Sequence, residues 1–223
     1  MFSGFLTESI VARAVKKRAC EIDIVDLREF GRGRWRKVDD RPYGGGPGML
    51  MCCEPWFGAV ERCAARREGA GMACRRVVMT DPRGRRFTQR DAESFAALAA
   101  EGGLHLVFMC GHYEGFDARC EALATDRLSV GDFVMTGGEL AAAAMVDAVV
   151  RLLPGVLGGG PAATADESFG HDGLLEASQY TRPPEFRGMR VPEVLLSGDH
   201  ARIEAWRRAV SRRLTEEAAA NMV

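Results

Sequence analysis

Apolar and polar positions along the chain recur with two periods. From residue 8 to 19, Ile10, Val11, Ala14 and Val15 are apolar while Arg13, Lys16 and Lys17 are polar, a spacing that predicts an amphipathic helix. Residues 20–27 (CEIDIVDL) alternate apolar and charged, which predicts a half-buried strand. Helical patterns return over 54–68 and 88–101, the second with Thr88 or Asp91 at its start. Residues 76–79 form a β-type run ending in the turn TDPRG, and 104–109 (LHLVFM) read as a short buried strand running into CGHYEG. Residues 139–153 (ELAAAAMVDAVVRLL) predict a helix buried almost all round and stopped by Pro154-Gly155. Strands alternating with helices predict an α/β domain with a largely parallel sheet. The Gly/Ala/Pro-rich stretch 155–166 reads as a linker. A helix over 199–214 follows, with Ile203, Trp206, Val210 and Leu214 on one stripe and five arginines on its other faces. The expected organisation is an α/β domain over 1–157, a flexible linker over 158–170 and a small helical domain over 171–223.

Composition narrows the class without naming a function. The 223 residues are 47% hydrophobic and 27% charged, which excludes a disordered or collagen-like chain. Net charge is −1, so no global positive field marks a nucleic-acid binder. The cations are lopsided, however: only Lys16, Lys17 and Lys37 are lysines, and the other 27 are arginines. Arginine offers the planar, bidentate recognition of phosphate and base edges that lysine lacks. Two stretches interleave arginine with aromatics, one from Arg28 to Arg41 around Trp35 and Tyr43, the other from Arg182 to Arg213. The opening residues lack a signal-peptide core, the longest apolar run (140–146) is far short of a membrane span, and the seven cysteines contain no CxxC pair. A reduced, cytoplasmic protein is expected, with no metal site assigned.

The chemistry-bearing pattern is a set of three glycine-rich loops, each after a strand-like run: TDPRG, CGHYEG and SVGDFVMTGGEL. In open α/β sheets ligands sit beyond the carboxyl ends of the strands, so three such loops would form one pocket of backbone donors and acceptors, suited to a nucleoside-like cofactor. None is a GxGxxG opening a helix, and no GxxxxGK[ST] occurs, which removes most support for a dinucleotide enzyme or a P-loop phosphotransferase. Residues 44–48 hold four glycines and a proline, so the backbone there turns sharply or approaches something closely. Asp147 and Arg151 are four apart and share a helix face, and Asp166-Glu167 stand just before Ser168-Phe169.

The strings VDDRPYGGGPGM, CGHYEGFDAR, SVGDFVMTGGEL, LLPGVLG, GLLE-x3-YTRP and VPEVLLSGDHARIEAWR closely resemble those of the bacterial tRNA (guanine-N1)-methyltransferases, in the same order and over nearly the whole chain. The resemblance implies a SPOUT-class fold: a parallel α/β domain whose cofactor loops form a deep trefoil knot, plus a small C-terminal α-helical domain. It implies S-adenosylmethionine as cofactor, with Mg²⁺ as a further candidate, and a homodimer whose active sites are shared between protomers. It also implies tRNA as substrate, methylated on N1 of the guanine just 3′ of the anticodon (position 37). Carried onto this chain, the cofactor residues are Thr80, Asp81, Pro82, Gly111, Glu114, Gly115, Val130, Gly131, Asp132, Phe133, Val134, Met135, Gly137 and Gly138. Arg151 matches the family's catalytic arginine. The catalytic carboxylate that precedes Ser-Phe is Glu167 or Asp166.

Relatives carry a strand ahead of FSGFLTESI and continue past the position of Val223, so this sequence is expected to be less stable than one with that strand. Two other readings compete: an inactive knot-fold RNA-binding protein, or a SPOUT methyltransferase acting on rRNA. The intact GDFVMTGGEL, Glu114 and Arg151 argue against the first, and YTRP with SGDHARIEAW against the second.

Overall fold

A computed structural model describes residues 2–65, 74–158, 164, 167–170 and 172–221. The elements of the first part are helices α1 (Phe2–Thr7), α2 (Ser9–Lys16), α3 (Cys53–Ala65), α4 (Gln89–Gly102) and α5 (Glu139–Val150). Its strands are β1 (Asp39–Asp40), β2 (Leu50–Met51), β3 (Cys74–Arg86), β4 (Leu104–Cys110) and β5 (Asp126–Ser129). The chain divides into two compact units, Met1–Gly158 and Gly159–Val223.

The first unit is built on a parallel sheet of order β4-β3-β5. Successive side chains of a strand point to opposite faces, and β3 uses both. Val77 and Met79 join a core with Trp56 and Val60 of α3, Met109 and Phe116. Val78 joins a second core with Ala14 of α2, Phe95 of α4 and Met145 and Val149 of α5. Strand β4 repeats the alternation, with Leu106 and Phe108 toward the second core and Val107 and Met109 toward the first. The result is a mixed α/β fold with helices on both faces of a parallel sheet. Helix α4 starts where the sequence predicts, because Thr88 and Asp91 form a capping box in which Asp91 accepts from the Thr88 backbone N–H at 2.8 Å.

Three expectations need correction. Strand β3 does not end at Met79: its partner β5 faces Thr80 and then Arg85 with the same residue, Leu128, so TDPRG is an excursion within a strand rather than its end. The excursion closes tightly, for a Cβ on Gly84 would lie 2.6 Å from the Leu128 nitrogen. Helix α5 is not buried all round: Leu140, Ala144 and Asp147 leave an exposed stripe at helical spacing. Residues 20–26 form no ladder, although Cys20 and Ile22 pack against the second core. Alternation fixes which way side chains face, but a strand also needs a neighbour at hydrogen-bonding distance. Between this segment and β4 lies a groove of about 940 Å³, lined by Phe5, Leu6, Ile22, Leu104, Leu106 and Trp56 among others. Strand β4 is therefore a sheet edge, and its side chains are mostly half-buried.

The second unit carries a short antiparallel hairpin (Glu185–Phe186 with Met189–Arg190), a four-residue helix Glu193–Leu196 and a 21-residue helix His200–Ala220. Asp199 caps the long helix by accepting from Arg202 N–H, which places its start as predicted; it runs past residue 214 to Ala220. The Tyr180 ring packs against Trp206 in a tilted arrangement, centroids 6.4 Å apart, and Leu175 N–H donates to Thr215 Oγ1, fixing the preceding extended chain to that helix. No helix among the described residues is long and apolar enough to cross a membrane.

Ion pairs lock the sheet. Arg76 of β3 donates to Asp126 of β5 at 2.8 and 2.5 Å, and Arg85 grips Asp91 of α4 at 2.8 and 2.6 Å. Burial pushes the Asp126 carboxyl up, but the bonds from Arg76 and Thr125 and the charges of Arg76 and Arg85 together outweigh it and hold it below its usual range. Arg85 does the same to Asp91, and Arg119 holds Asp117 down to about 2. Carboxyls depressed in the fold stabilise it fully above their unfolded value of about 4 and lose that contribution as pH falls through the folded value. The melting temperature is expected to hold above about pH 5 and fall steeply between about pH 4 and 2. Asp126→Asn should flatten that fall; an unchanged slope in pH-dependent calorimetry would contradict it. The groove gives a second prediction. Seven residues alternating apolar and polar, fused ahead of Phe2, should pair with β4 and raise the melting temperature by roughly 5 °C, the equivalent of about 1–2 kcal/mol. A fused segment of the same composition without alternation should not.

Candidate active site

Two of the glycine-rich loops follow the carboxyl ends of β4 and β5, and TDPRG departs from β3 where its register with β4 ends. Thr80 is the last β3 residue in register with β4, Gly111 follows Cys110 of β4, and Val130 follows Ser129 of β5. Their backbones meet directly. Gly138 donates its N–H to the Gly111 carbonyl at 2.9 Å, His112 bridges Gly137, and Thr80 Oγ1 donates to the Met109 carbonyl at 2.9 Å. A Cβ on Gly138 would fall 2.0 Å from Thr80 Oγ1 and 3.1 Å from Cys110 Cα. Only glycine lets the 137–138 backbone seat between the other two loops.

A side-chain clasp reinforces the junction. His112 and Glu139, from the second and third loops, share a hydrogen bond of 2.6 Å, and the other Glu139 oxygen is buried with no hydrogen-bond partner among the described residues. Cys110 beside them is pushed up to about 12 by burial, so it stays a neutral thiol and not a nucleophile.

A fourth segment joins the cluster, one that the glycine run marks in the sequence only as a close approach. Glu114 N–H donates to the Met49 carbonyl and Met51 N–H to the Gly115 carbonyl, both at 3.0 Å, while Met51 bridges Phe116 in parallel. A Cβ on Gly48 would lie 2.4 Å from Glu114 Oε1, so Gly48 leaves room for that carboxylate. Met49 and Met51 escape sequence reasoning, since their contribution is backbone and carries no side-chain signal.

The remaining predicted residues fall into two groups. Asp81 is buried, which raises its carboxyl, but bonds from Arg83 and the charge of Arg127 more than offset this and hold it below the usual range. Asp132 is exposed and paired with Arg86 at 2.6 Å. Pro82, Tyr113, Phe133 and Val134 are exposed, and Gly131 packs beneath the Phe133 ring.

Comparison with known proteins identifies what this loop cluster belongs to. The family model of the tRNA (guanine-1)-methyltransferase TrmD matches residues 1–223. The chain belongs to this family. It is 50% identical over 216 residues to the tRNA (guanine-N(1)-)-methyltransferase of Geobacillus kaustophilus, covering 96% of this chain and 84% of the relative. It is 49% identical to that of Listeria welshimeri (97% and 85% covered) and 51% to that of Anaeromyxobacter dehalogenans (97% and 84%).

With the family known, the two residue types assigned to chemistry can be placed. Arg151 is half-buried at the C-cap of α5, its backbone N–H bonded to the Asp147 carbonyl, and it belongs to the first unit. Glu167 belongs to the second, where its carbonyl accepts from Gly170 N–H in a turn closed by Phe169 N–H donating to Leu174 O at 2.7 Å. Asp166 lies outside the described residues.

The packing at Gly138 gives a direct test. Gly138→Ala is expected to lower the melting temperature by roughly 5 °C, the scale of a small overpacking strain in a chain of this size. Thr80→Ala in the same chain should return part of that loss. Full stability in the single variant would show that the loops do not touch there.

Proposed function

We propose that this chain transfers a methyl group from S-adenosylmethionine to N1 of guanine 37 in tRNA, as the family's name and the loop cluster together indicate. The observation that carries the reading is the junction of Thr80, Gly111 and Gly138, which lies where the β3–β4 register ends and gathers the loops after β4 and β5, on the side of a parallel sheet where ligands bind in open α/β folds. The close seating of Gly138 against Gly111 and Thr80 also supports a trefoil knot over these loops; a linker over 158–170 to a smaller tRNA-binding part belongs to the same proposal.

The residues present suit the cofactor. The exposed rings of Tyr113 and Phe133 and the exposed Val134 offer apolar surface for a flat base. Backbone groups of the loops can read its edge, and Glu114 supplies a carboxylate for an amino group. When bound, the cofactor supplies an electrophilic methyl on a sulfonium, whose thioether leaves without an acid. The acceptor is then the difficulty, because N1 of guanine carries a proton at neutral pH. Glu167, or Asp166 beside it, takes that proton, and Arg151 stabilises the charge that develops on O6. The guanine leaves its stack to reach the pocket. The exposed stripe Leu140, Ala144 and Asp147 of α5 suits burial by a second copy, which would give a homodimer.

The deciding experiment is methyl incorporation into a tRNA with guanine after the anticodon and its adenine variant, with and without Mg²⁺. Incorporation into the guanine form only is expected; equal incorporation, or none, overturns the reading. Glu167→Gln should lower the rate roughly 10²–10⁴-fold and Arg151→Ala roughly 10²–10³-fold, with cofactor binding retained. If Asp166→Asn is the variant that loses rate, the base is Asp166. Sedimentation should give a particle of twice 24.3 kDa.

A further inference from the structure

The arginine-and-aromatic stretch after residue 28 folds into a built projection. Arg32 and Lys37 face each other as an antiparallel pair, with hydrogen bonds of 2.8 and 3.0 Å between their backbones. Gly33 to Arg36 closes the tip, where Arg36 N–H donates to the Gly33 carbonyl at 3.1 Å. Gly33 and Arg36 both take positive φ, and a Cβ on Gly31 would lie 2.3 Å from the Arg36 carbonyl, so the turn is held tightly at its base. The base is mounted on α3: Arg32 pairs with Glu54 at 2.9 Å, and the guanidinium of Arg62 lies over the Phe30 ring.

What this mount carries is an unusual display. Trp35 stands at the tip with 70% of its surface exposed, and the Arg34 guanidinium lies 4.5 Å from its ring centroid. Arg34, Arg36 and Lys37 form no ion pair among the described residues. An exposed indole beside Arg34, on a tight turn whose next residues are Arg36 and Lys37, is poorly explained by folding: it leaves apolar area in water and concentrates like charge along one short segment. It matches what unpaired RNA requires, a flat π-face for a base and guanidinium groups for the phosphates either side. The projection is also coupled to the loop cluster. Strand β1 continues from Val38 and pairs with β2, whose Met51 binds the Gly115 carbonyl.

We infer that the 31–37 hairpin is a contact site for an unpaired stretch of the substrate RNA, with a base stacked on Trp35 and Arg34, Arg36 and Lys37 holding the adjoining phosphates. This rests on the proposed action on tRNA. Trp35 is a positioning residue here and takes no part in methyl transfer.

The test uses the full chain with fluorescently labelled tRNA and follows anisotropy alongside methyl incorporation. Trp35→Ala should weaken the tRNA Kd and raise its KM roughly tenfold, the scale of removing one base–aromatic stack. kcat at saturating tRNA and the thermal shift produced by S-adenosylmethionine should stay within about twofold of the original chain. Trp35→Phe should recover most of the affinity, because a flat ring is restored. The double variant Arg34→Gln/Arg36→Gln should make the plot of log Kd against log salt shallower by roughly 1 to 1.5, about 0.7 for each single-strand phosphate that is no longer neutralised. Unchanged Kd and KM in both variants, with the original chain still methylating tRNA, overturn this inference and leave the proposed function intact. An original chain that binds tRNA but does not methylate it overturns the proposed function, while the anisotropy arm still reads the hairpin. A Trp35→Ala chain that alters sedimentation and not RNA affinity makes the tip a protein-binding surface and overturns the inference.

Discussion

Gly138 has room for no side chain, and the rest of the loop cluster depends on that. Its N–H reaches the Gly111 carbonyl and its Cα faces Thr80 and Cys110 so closely that a single methyl group would collide with both. The junction joins the backbones of Gly138 and Gly111 directly and takes in β3 through the short Thr80 side chain, so β3, the end of β4 and the start of α5 are fixed relative to one another. The His112–Glu139 bond then clamps the same junction from one side, and Gly48 lets Glu114 lie over the GGGPG loop from the other. Cofactor chemistry needs a pocket whose polar backbone groups are already oriented, and dense glycine packing is a direct way to present backbone rather than side chains.

The sheet beneath this junction is held by two unlike means. Alternate residues of β3 divide between two apolar cores, so both faces of the strand are covered by helices. Its length is tied by arginine–carboxylate pairs to β5 and α4, where Arg76 meets Asp126 and Arg85 meets Asp91. The second pair also completes the cap of α4, since Asp91 accepts from Thr88 and from Arg85 together. One carboxylate thus sets where a helix begins and how it sits on the strand before it. The unfilled side of the sheet is the β4 edge, where an apolar groove replaces the neighbour that the 20–26 segment would need to become a strand.

The proposed function rests on placing rigid and extended parts in one unit. The 31–37 hairpin, β1 and β2, and the loop holding Glu114 are successive segments joined by backbone hydrogen bonds. Arg151 ends the helix that begins next to Gly138, so the proposed catalytic cation and the cofactor loop share one rigid element. The proposed base stands in the other unit.

Residue order alone was enough for the helices with strong caps and periodicity, for the positions of the loops after β4 and β5, and for the family. Thr88 with Asp91 marks the start of α4, Asp199 marks that of the terminal helix, and six long strings carry the resemblance. These are local signals, set by residues within one turn or one loop of each other. Other features emerged only when the chain was folded. That 20–26 lacks a ladder, that TDPRG is an excursion inside β3, and that α5 keeps an exposed stripe all depend on which neighbour lies alongside. The same holds for Gly48 facing Glu114, and for Trp35 standing at a rigid exposed tip rather than in a core. An alternating pattern, a glycine run or an aromatic among arginines states what a segment is able to do; the distance to a partner remote in sequence determines which of those possibilities is realised.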